Sequence, residues 1–136
     1  KKQKFLYALG FSTVQEIDSL NILEATKLSM KRAVKKLKIK KGNLIIDGNI
    51  DLNLSNFKNN KCIKGDSKSY SIAASSIIAK IYRDNYMRRL SFFYPKYEWE
   101  QNMGYGTKKH IEQIKEIGIT KHHRKSFEPI KSLIHK

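Results

Sequence analysis

Two short segments with the pattern of strands each run into an aspartate that lies beside a glycine. This arrangement limits the possible folds more than any other feature of the sequence. Residues 44–46 precede Asp47, and residues 61–64 lead to Asp66. Short runs of this kind, bounded by turn residues, are typical of strands. A long helix, predicted for residues 71–93, follows the second aspartate, and its first turns are rich in small residues. Strands separated by helices indicate an α/β layered fold.

The N-terminal part of the sequence is assigned from apolar content and from helix caps. Residues 5–11 are apolar and aromatic, and they are predicted to form a buried strand. Thr13 and Glu16 have the spacing of a capping box, which satisfies free amides at the start of a helix. A second, longer helix is expected to be capped by Asp18 or Ser19.

The remaining segments are predicted to form a loop and two helices of the same domain. Residues 50–60 are polar and are predicted to form a loop. Helices are predicted for residues 108–117, where a glycine closes the segment, and for residues 128–134. Because no repeat or linker divides the 136 residues, we expect a single domain over residues 1–136.

The charge of the chain is the first indication of function. Twenty-eight Lys and Arg residues oppose twelve Asp and Glu residues, which gives a net charge of +16. Such a charge favours a polyanionic partner, and nucleic acid is the commonest one. The alternative is a generic basic surface without a specific partner. Hydrophobic residues make up 40% of the chain, so a disordered chain is excluded.

The single cysteine and the short apolar runs bear on the cellular location. Cys62 has no partner in the chain for a disulfide, and no Cys and His residues have zinc-binding spacing. A cytoplasmic, reducing location is therefore expected. No run is long enough to cross a membrane, so no membrane partner is expected, and the protein is expected to be a monomer.

Two of the twelve acidic residues are candidates for metal ligands. Asp47 and Asp66 end predicted strands, where α/β folds place their ligands. Two carboxylates that converge repel each other unless a cation lies between them, and hard divalent ions prefer such oxygen ligands. Two simpler interpretations stay open: Asp47 begins an Asp-Gly turn, and Asp66 caps the helix that follows it.

Seven segments of the sequence form an ordered set of motifs. They are residues 18–26 (DSLNILEAT), 44–49 (LIIDGN), 64–67 (KGDS), 70–80 (YSIAASSIIAK), 94–97 (YPKY), 104–110 (GYGTKKH) and 122–129 (HHRKSFEP). Each segment alone has little specificity. In this order, from about residue 7 to residue 130, the sequence resembles the type 2 ribonucleases H, the ribonuclease HII family.

The resemblance implies a fold, a reaction and a cofactor. The fold is the ribonuclease H-like α/β layered architecture. The reaction is endonucleolytic cleavage of RNA in RNA–DNA hybrids and at single ribonucleotides in duplex DNA, leaving a 3′-hydroxyl and a 5′-phosphate. The cofactor is Mg²⁺ or Mn²⁺, which the family holds with four acids. Asp47 and Asp66 correspond to the third and fourth of these, so Asp47 is expected to position the attacking water and the scissile phosphate.

The sequence departs from the family at the first two acids. They belong to an Asp-Glu-x-Gly-Arg-Gly motif, which also contacts the ribose 2′-hydroxyl, and the 136 residues contain no such motif. The layered fold is therefore expected here without its first strands, on the assumption that the motif lies before Lys1. One alternative is a nucleic-acid-binding fragment that does not cut. A basic structural protein is a third possibility, but it does not explain the two Asp motifs.

The resemblance also assigns contacts to the substrate. Tyr105 corresponds to a family tyrosine that packs on a sugar beside the cleavage site, although an exposed turn tyrosine is the simpler interpretation. His122 and His123 are expected at the surface without a catalytic role. Contacts to backbone phosphates, which position the duplex without reading its sequence, are expected from basic residues. These are Lys64, Lys80, Arg83, Arg124 and Lys125.

Overall fold

The computed structural model of the chain describes residues 5–134, which form helices and one small two-stranded sheet. The strands β1 and β2 pair in parallel. This mixture of helices and a parallel sheet confirms the predicted α/β class. In chain order the elements are α1 (Val14–Leu20), α2 (Ile22–Lys36), β1 (Gly42–Asp47), β2 (Phe57–Cys62), α3 (Tyr70–Phe93), α4 (Trp99–Asn102), α5 (Lys108–Ile117) and α6 (Ile130–Ile134).

The sheet brings the ends of its two strands to one edge. The register aligns Gly42 with Phe57 and Asp47 with Cys62. Parallel strands end on the same side, so the loops after β1 and β2 lie together. The loop predicted for residues 50–60 and the strand predicted for residues 61–64 are wrong in their boundaries. β2 is mostly polar, and its backbone pairing with β1, rather than apolar content, makes it a strand.

The strand predicted for residues 5–11 is not formed. No strand within residues 5–134 pairs with this segment, and Phe5 is 85% exposed. Its carbonyls are instead bound by side chains of α2. Arg32 Nη1 donates to the Phe11 carbonyl at 2.6 Å, and Lys36 Nζ donates to the Leu9 carbonyl at 2.8 Å. Apolar content alone does not form a strand without a neighbouring edge to pair with.

The helix caps are confirmed at α1 and differ at α2. The Thr13 hydroxyl accepts a hydrogen bond from Glu16 N at 3.2 Å, and the Glu16 carboxylate accepts one from Thr13 N at 2.8 Å. Neither Asp18 nor Ser19 caps α2. Asn21 does, since its Oδ1 accepts from two amides of the first turn of α2, and Asn tolerates the positive φ of 72° found there.

The long helix α3 connects the sheet with the largest group of buried side chains. Its N-terminal turn lies beside a 3₁₀ turn, Gly65–Ser67, and its C-terminal half contributes Met87 and Leu90 to the core. The predictions of α3 and α5 are confirmed, and α6 begins two residues after the predicted start at residue 128. Within the described residues, no helix combines the length and the apolar character required to span a membrane.

Candidate metal and nucleic-acid site along helix α3

The two candidate metal ligands lie at the edge of the sheet where the strands end. Asp47 is the last residue of β1, and its Oδ1 accepts a hydrogen bond from Gly65 N at 2.8 Å. Asp66, the next residue, lies in the 3₁₀ turn and accepts from Ser67 N at 2.9 Å. The prediction that Asp66 directly ends a strand is wrong, because β2 stops at Cys62 and the chain turns before reaching it.

The backbone of the turn is shaped to fit against the Asp47 carboxylate. Lys64 adopts a left-handed conformation, with φ of 54°, and starts the turn. Gly65 is buried, and a side chain there would collide with Ile72 and would come within 3.3 Å of Asp47 Oδ1. A glycine at this position therefore allows the turn to approach both the carboxylate and the first turn of α3.

The donor atoms of this edge suit a hard divalent cation, but they are few. Asp47 and Asp66 are both exposed, and each uses one carboxylate oxygen for a backbone amide. Among residues 5–134, no cluster of three or more His, Cys, Asp or Glu residues could hold a metal. Mg²⁺ is commonly held by one or two carboxylates together with waters and substrate phosphates. The pair therefore fits part of the coordination shell of such an ion.

A second group of predicted site residues gathers further along α3. Arg83 Nη2 lies 3.5 Å from the position that a side chain on Gly104 would take, directly before Tyr105. Tyr105 is 70% exposed and lies within electrostatic range of both Lys80 and Arg83. We call Lys80, Arg83, Tyr105 and Arg124 the basic–aromatic patch.

The positive charges of the basic–aromatic patch differ in whether an acidic side chain pairs with them. Lys80 pairs with Asp84 at 2.8 Å, and this hydrogen bond raises the pKa of Lys80. Partial burial of the Arg83 guanidinium, followed by the like charge of Arg124, lowers the pKa of Arg83. Among the described residues, neither Arg83 nor Arg124 forms a salt bridge. The patch thus presents positive charge that an anion can neutralise.

The aspartate pair and the basic–aromatic patch lie at different positions along the same helix. Ile72 contacts the turn at Gly65, and Arg83 follows eleven residues later on α3. A rise of 1.5 Å per residue places these positions about 16 Å apart along the helix axis. Lys64 lies at the aspartate end, whereas Lys125 lies in the loop that carries Arg124.

His123, expected at the surface, is instead buried in an aromatic cluster. Its ring lies 5.4 Å from Trp99 and stacks on His110 at 5.6 Å. Thr120 N donates to His123 Nδ1 at 2.9 Å. Burial, followed by the neighbouring His110, lowers the pKa of His123 to about 4. The aromatic residues at positions 94–99 are the sequence signal that could have indicated a buried partner.

Asp18 anchors α1 to a loop that is distant in sequence, a role that no local sequence pattern indicates. Its carboxylate accepts hydrogen bonds from Lys125 N at 3.1 Å, Ser126 N at 3.0 Å and Ser126 Oγ at 2.6 Å. Burial alone would raise the pKa of Asp18, but the bonds from Ser126 and Lys125 hold it below its usual value. α1 is therefore tied to a loop more than a hundred residues away.

Comparisons with known proteins match nearly the whole chain. The family model for ribonuclease HII matches residues 1–130. A ribonuclease HII of Macrococcus caseolyticus is 52% identical over 97% of this chain and 49% of its own length. One from Staphylococcus saprophyticus is 50% identical over 96% and 50%, and one from Pelagibacter ubique is 49% identical over 98% and 72%. The chain spans about half the length of the first two relatives.

Proposed function

The chain belongs to the ribonuclease HII family, and from that premise we propose that the intact protein is a metal-dependent endoribonuclease. It cleaves the RNA strand of RNA–DNA hybrids and cuts at single ribonucleotides in duplex DNA, leaving a 3′-hydroxyl and a 5′-phosphate. The observation that carries the proposal is the contact of the Asp47 carboxylate with the Gly65 amide, beside Asp66. It brings the acid at the end of β1 and the acid in the turn after β2 to one exposed edge.

Mg²⁺ or Mn²⁺ is the proposed cofactor, held in part by Asp47 and Asp66. A bound ion of this kind polarises a phosphate and lowers the pKa of a coordinated water. The bond from Gly65 N occupies one oxygen of Asp47 and leaves the other oxygen for a metal ion. Asp66 is restrained in the same way by Ser67 N. Backbone amides therefore orient both carboxylates, and these two hydrogen bonds involve no second side chain.

The proposed substrate follows from the charge and from the basic–aromatic patch. A net charge of +16 favours a polyanion. Lys64 contacts phosphates near the aspartate pair, and Lys80, Arg83, Arg124 and Lys125 contact phosphates further along. A separation of about 16 Å corresponds to about five nucleotides of one strand. Tyr105 stacks on a sugar or base within that span.

A second candidate function is binding without cleavage by these 136 residues alone. It is favoured by the number of metal donors, because no three His, Cys, Asp or Glu side chains of the described residues come together as a metal site. In this case the chain holds duplexes through its basic surface, and its affinity falls steeply as salt rises. An affinity that is the same at low and high salt would exclude this candidate.

The proposal is tested with a labelled DNA duplex that contains one ribonucleotide. The intact protein is expected to cut it with Mg²⁺ or Mn²⁺ and not with EDTA, and the product ends identify the bond that breaks. Asp47→Asn is expected to lower the rate by at least about a hundredfold, as loss of a metal ligand does. Asp51→Asn is the matched control, because within residues 5–134 the Asp51 carboxylate accepts a hydrogen bond only from its own loop, from Asn53 N. Full activity of Asp47→Asn would contradict the proposed site.

A further inference from the structure

The loop that carries Arg124 is held at both residues that flank Arg124, His123 and Lys125. The ring of His123 is buried among Trp99 and His110. The amide of Lys125 donates to the carboxylate of Asp18. The residues on either side of Arg124 are therefore fixed, and its backbone has little freedom to move relative to α3.

The charge of Arg124 has no acidic partner among the described residues. The positive charge of Arg124 lowers the pKa of Arg83, after the larger effect of partial burial, so the two guanidinium groups repel each other. No carboxylate within the described residues forms a salt bridge with either group. The Arg124 guanidinium also lies over the ring of Phe127, at 5.1 Å from its centre. The positive charge of Arg124 is therefore available to an anion.

We propose that Asp18 is a positioning residue, which holds the loop of Arg124 so that the guanidinium group of Arg124 binds one backbone phosphate of a nucleic-acid duplex. Guanidinium groups suit phosphate because their donors match its oxygens in pairs. Asp18 does not face the ligand, since all three of its hydrogen bonds are directed to the loop. The inference rests on the proposed function only for the identity of the ligand as nucleic acid.

Glu16 provides a matched comparison on the same helix. Its carboxylate accepts from Arg32 Nη1 at 2.8 Å and from Thr13 N at 2.8 Å, which ties α1 to α2 and not to the loop. Glu16→Gln keeps the cap, which tolerates Gln, and loses the ion pair. Asp18→Asn and Glu16→Gln each remove one negative charge. That change alone would strengthen binding to a polyanion, so a weakening in Asp18→Asn has to come from the loop.

The test measures the binding of the intact protein to a fluorescent RNA–DNA hybrid in EDTA, over a series of NaCl concentrations. The slope of log K against log salt reports how many phosphates the protein contacts. Asp18→Asn is expected to lower the magnitude of this slope by about one and to weaken binding at low salt about three- to tenfold. Glu16→Gln is expected to keep the original slope, even where its melting temperature falls.

A double-mutant cycle tests whether Asp18 acts through Arg124. Asp18→Asn combined with Arg124→Ala is expected to bind as Arg124→Ala alone does. An unchanged slope in Asp18→Asn would overturn the inference, and so would additive losses in the double variant. Equal changes in Asp18→Asn and Glu16→Gln would also overturn it, because they would indicate a purely structural effect. Because no cleavage is measured, failure of the nuclease proposal would leave this result interpretable.

Discussion

The two ends of helix α3 contact regions that bury their apolar side chains to different extents. At its C-terminal end Met87 and Leu90 join a core in which Trp99 is 2% exposed. At its N-terminal end the small sheet buries Ile46, whereas the neighbouring Ile45 is 52% exposed. The candidate metal ligands belong to the second region, and the deepest packing belongs to the first.

The residues that stabilise the fold and the candidate metal ligands therefore lie in different parts of the molecule. The aromatic core fixes the loop of Arg124 through the buried His123, and so it positions the basic–aromatic patch. The aspartate pair depends instead on backbone hydrogen bonds from the turn after β2. Sites that have to exchange water and ligands commonly lie in regions of lower local stability.

The largest expected effect is on the core. Trp99→Ala removes the most buried aromatic side chain and is expected to lower the free energy of unfolding by about 3–5 kcal/mol. The matched control is Phe93→Ala, because Phe93 lies at the end of α3 and is 73% exposed. Urea unfolding of both variants measures the difference. Similar losses in the two would contradict the location of the stability in this core.

A smaller effect is expected from pH, through the buried His123. Its pKa falls from 6.5 to about 4 on folding, so its contribution is complete above pH 6.5 and is lost as the pH falls towards 4. The free energy of unfolding is expected to fall by about 2–3 kcal/mol between pH 7.5 and 4.5. Glu16, with a pKa lowered from 4.5 to about 2, loses its contribution only below pH 4.5.

Urea unfolding across this pH range measures the effect, with His123→Phe as the comparison. This variant keeps an aromatic ring but cannot take up a proton, so its pH dependence is expected to be smaller. An equal dependence in both proteins would show that another group causes it.

The smallest effect is expected in the sheet. Ile46→Val removes one buried methylene and is expected to lower the free energy of unfolding by about 0.5–1.5 kcal/mol. Ile45→Val, on the exposed face of the same strand, is expected to have almost no effect, since surface changes of this size typically do not. Thermal or urea unfolding distinguishes the two. A reversed order would mean that the described burial of β1 is wrong.

Local signals in the sequence predicted the helices well. The Thr13 capping box, the start and end of α3, and the glycine after α5 all depend on residues a few positions apart. Asn21 is not distinguished as the cap by the sequence, because Asp18, Ser19 and Asn21 are all residues that commonly cap helices. Asp18 is instead used by a loop that is distant in sequence, and no local pattern contains that information.

The sheet and the site were harder to predict for the same reason. β2 is polar, so only its pairing with β1 identifies it, and residues 5–11 are apolar but have no strand beside them among the described residues. Asp47 and Asp66 were identified as candidates from the Asp-Gly pattern. Their approach through the Gly65 amide depends on the parallel register of the strands, which the sequence does not specify.

We propose that the aspartate pair, and not another part of this basic surface, holds the divalent cation. Adding Mn²⁺ to the ¹⁵N-labelled chain tests it directly, since the ion broadens the NMR signals of nearby nuclei. The amides of Gly48 and Gly65 are expected to broaden first, with the Trp99 indole unaffected, and Asp47→Asn with Asp66→Asn is expected to abolish this selectivity. Uniform broadening, or the same broadening in the double variant, would contradict the claim.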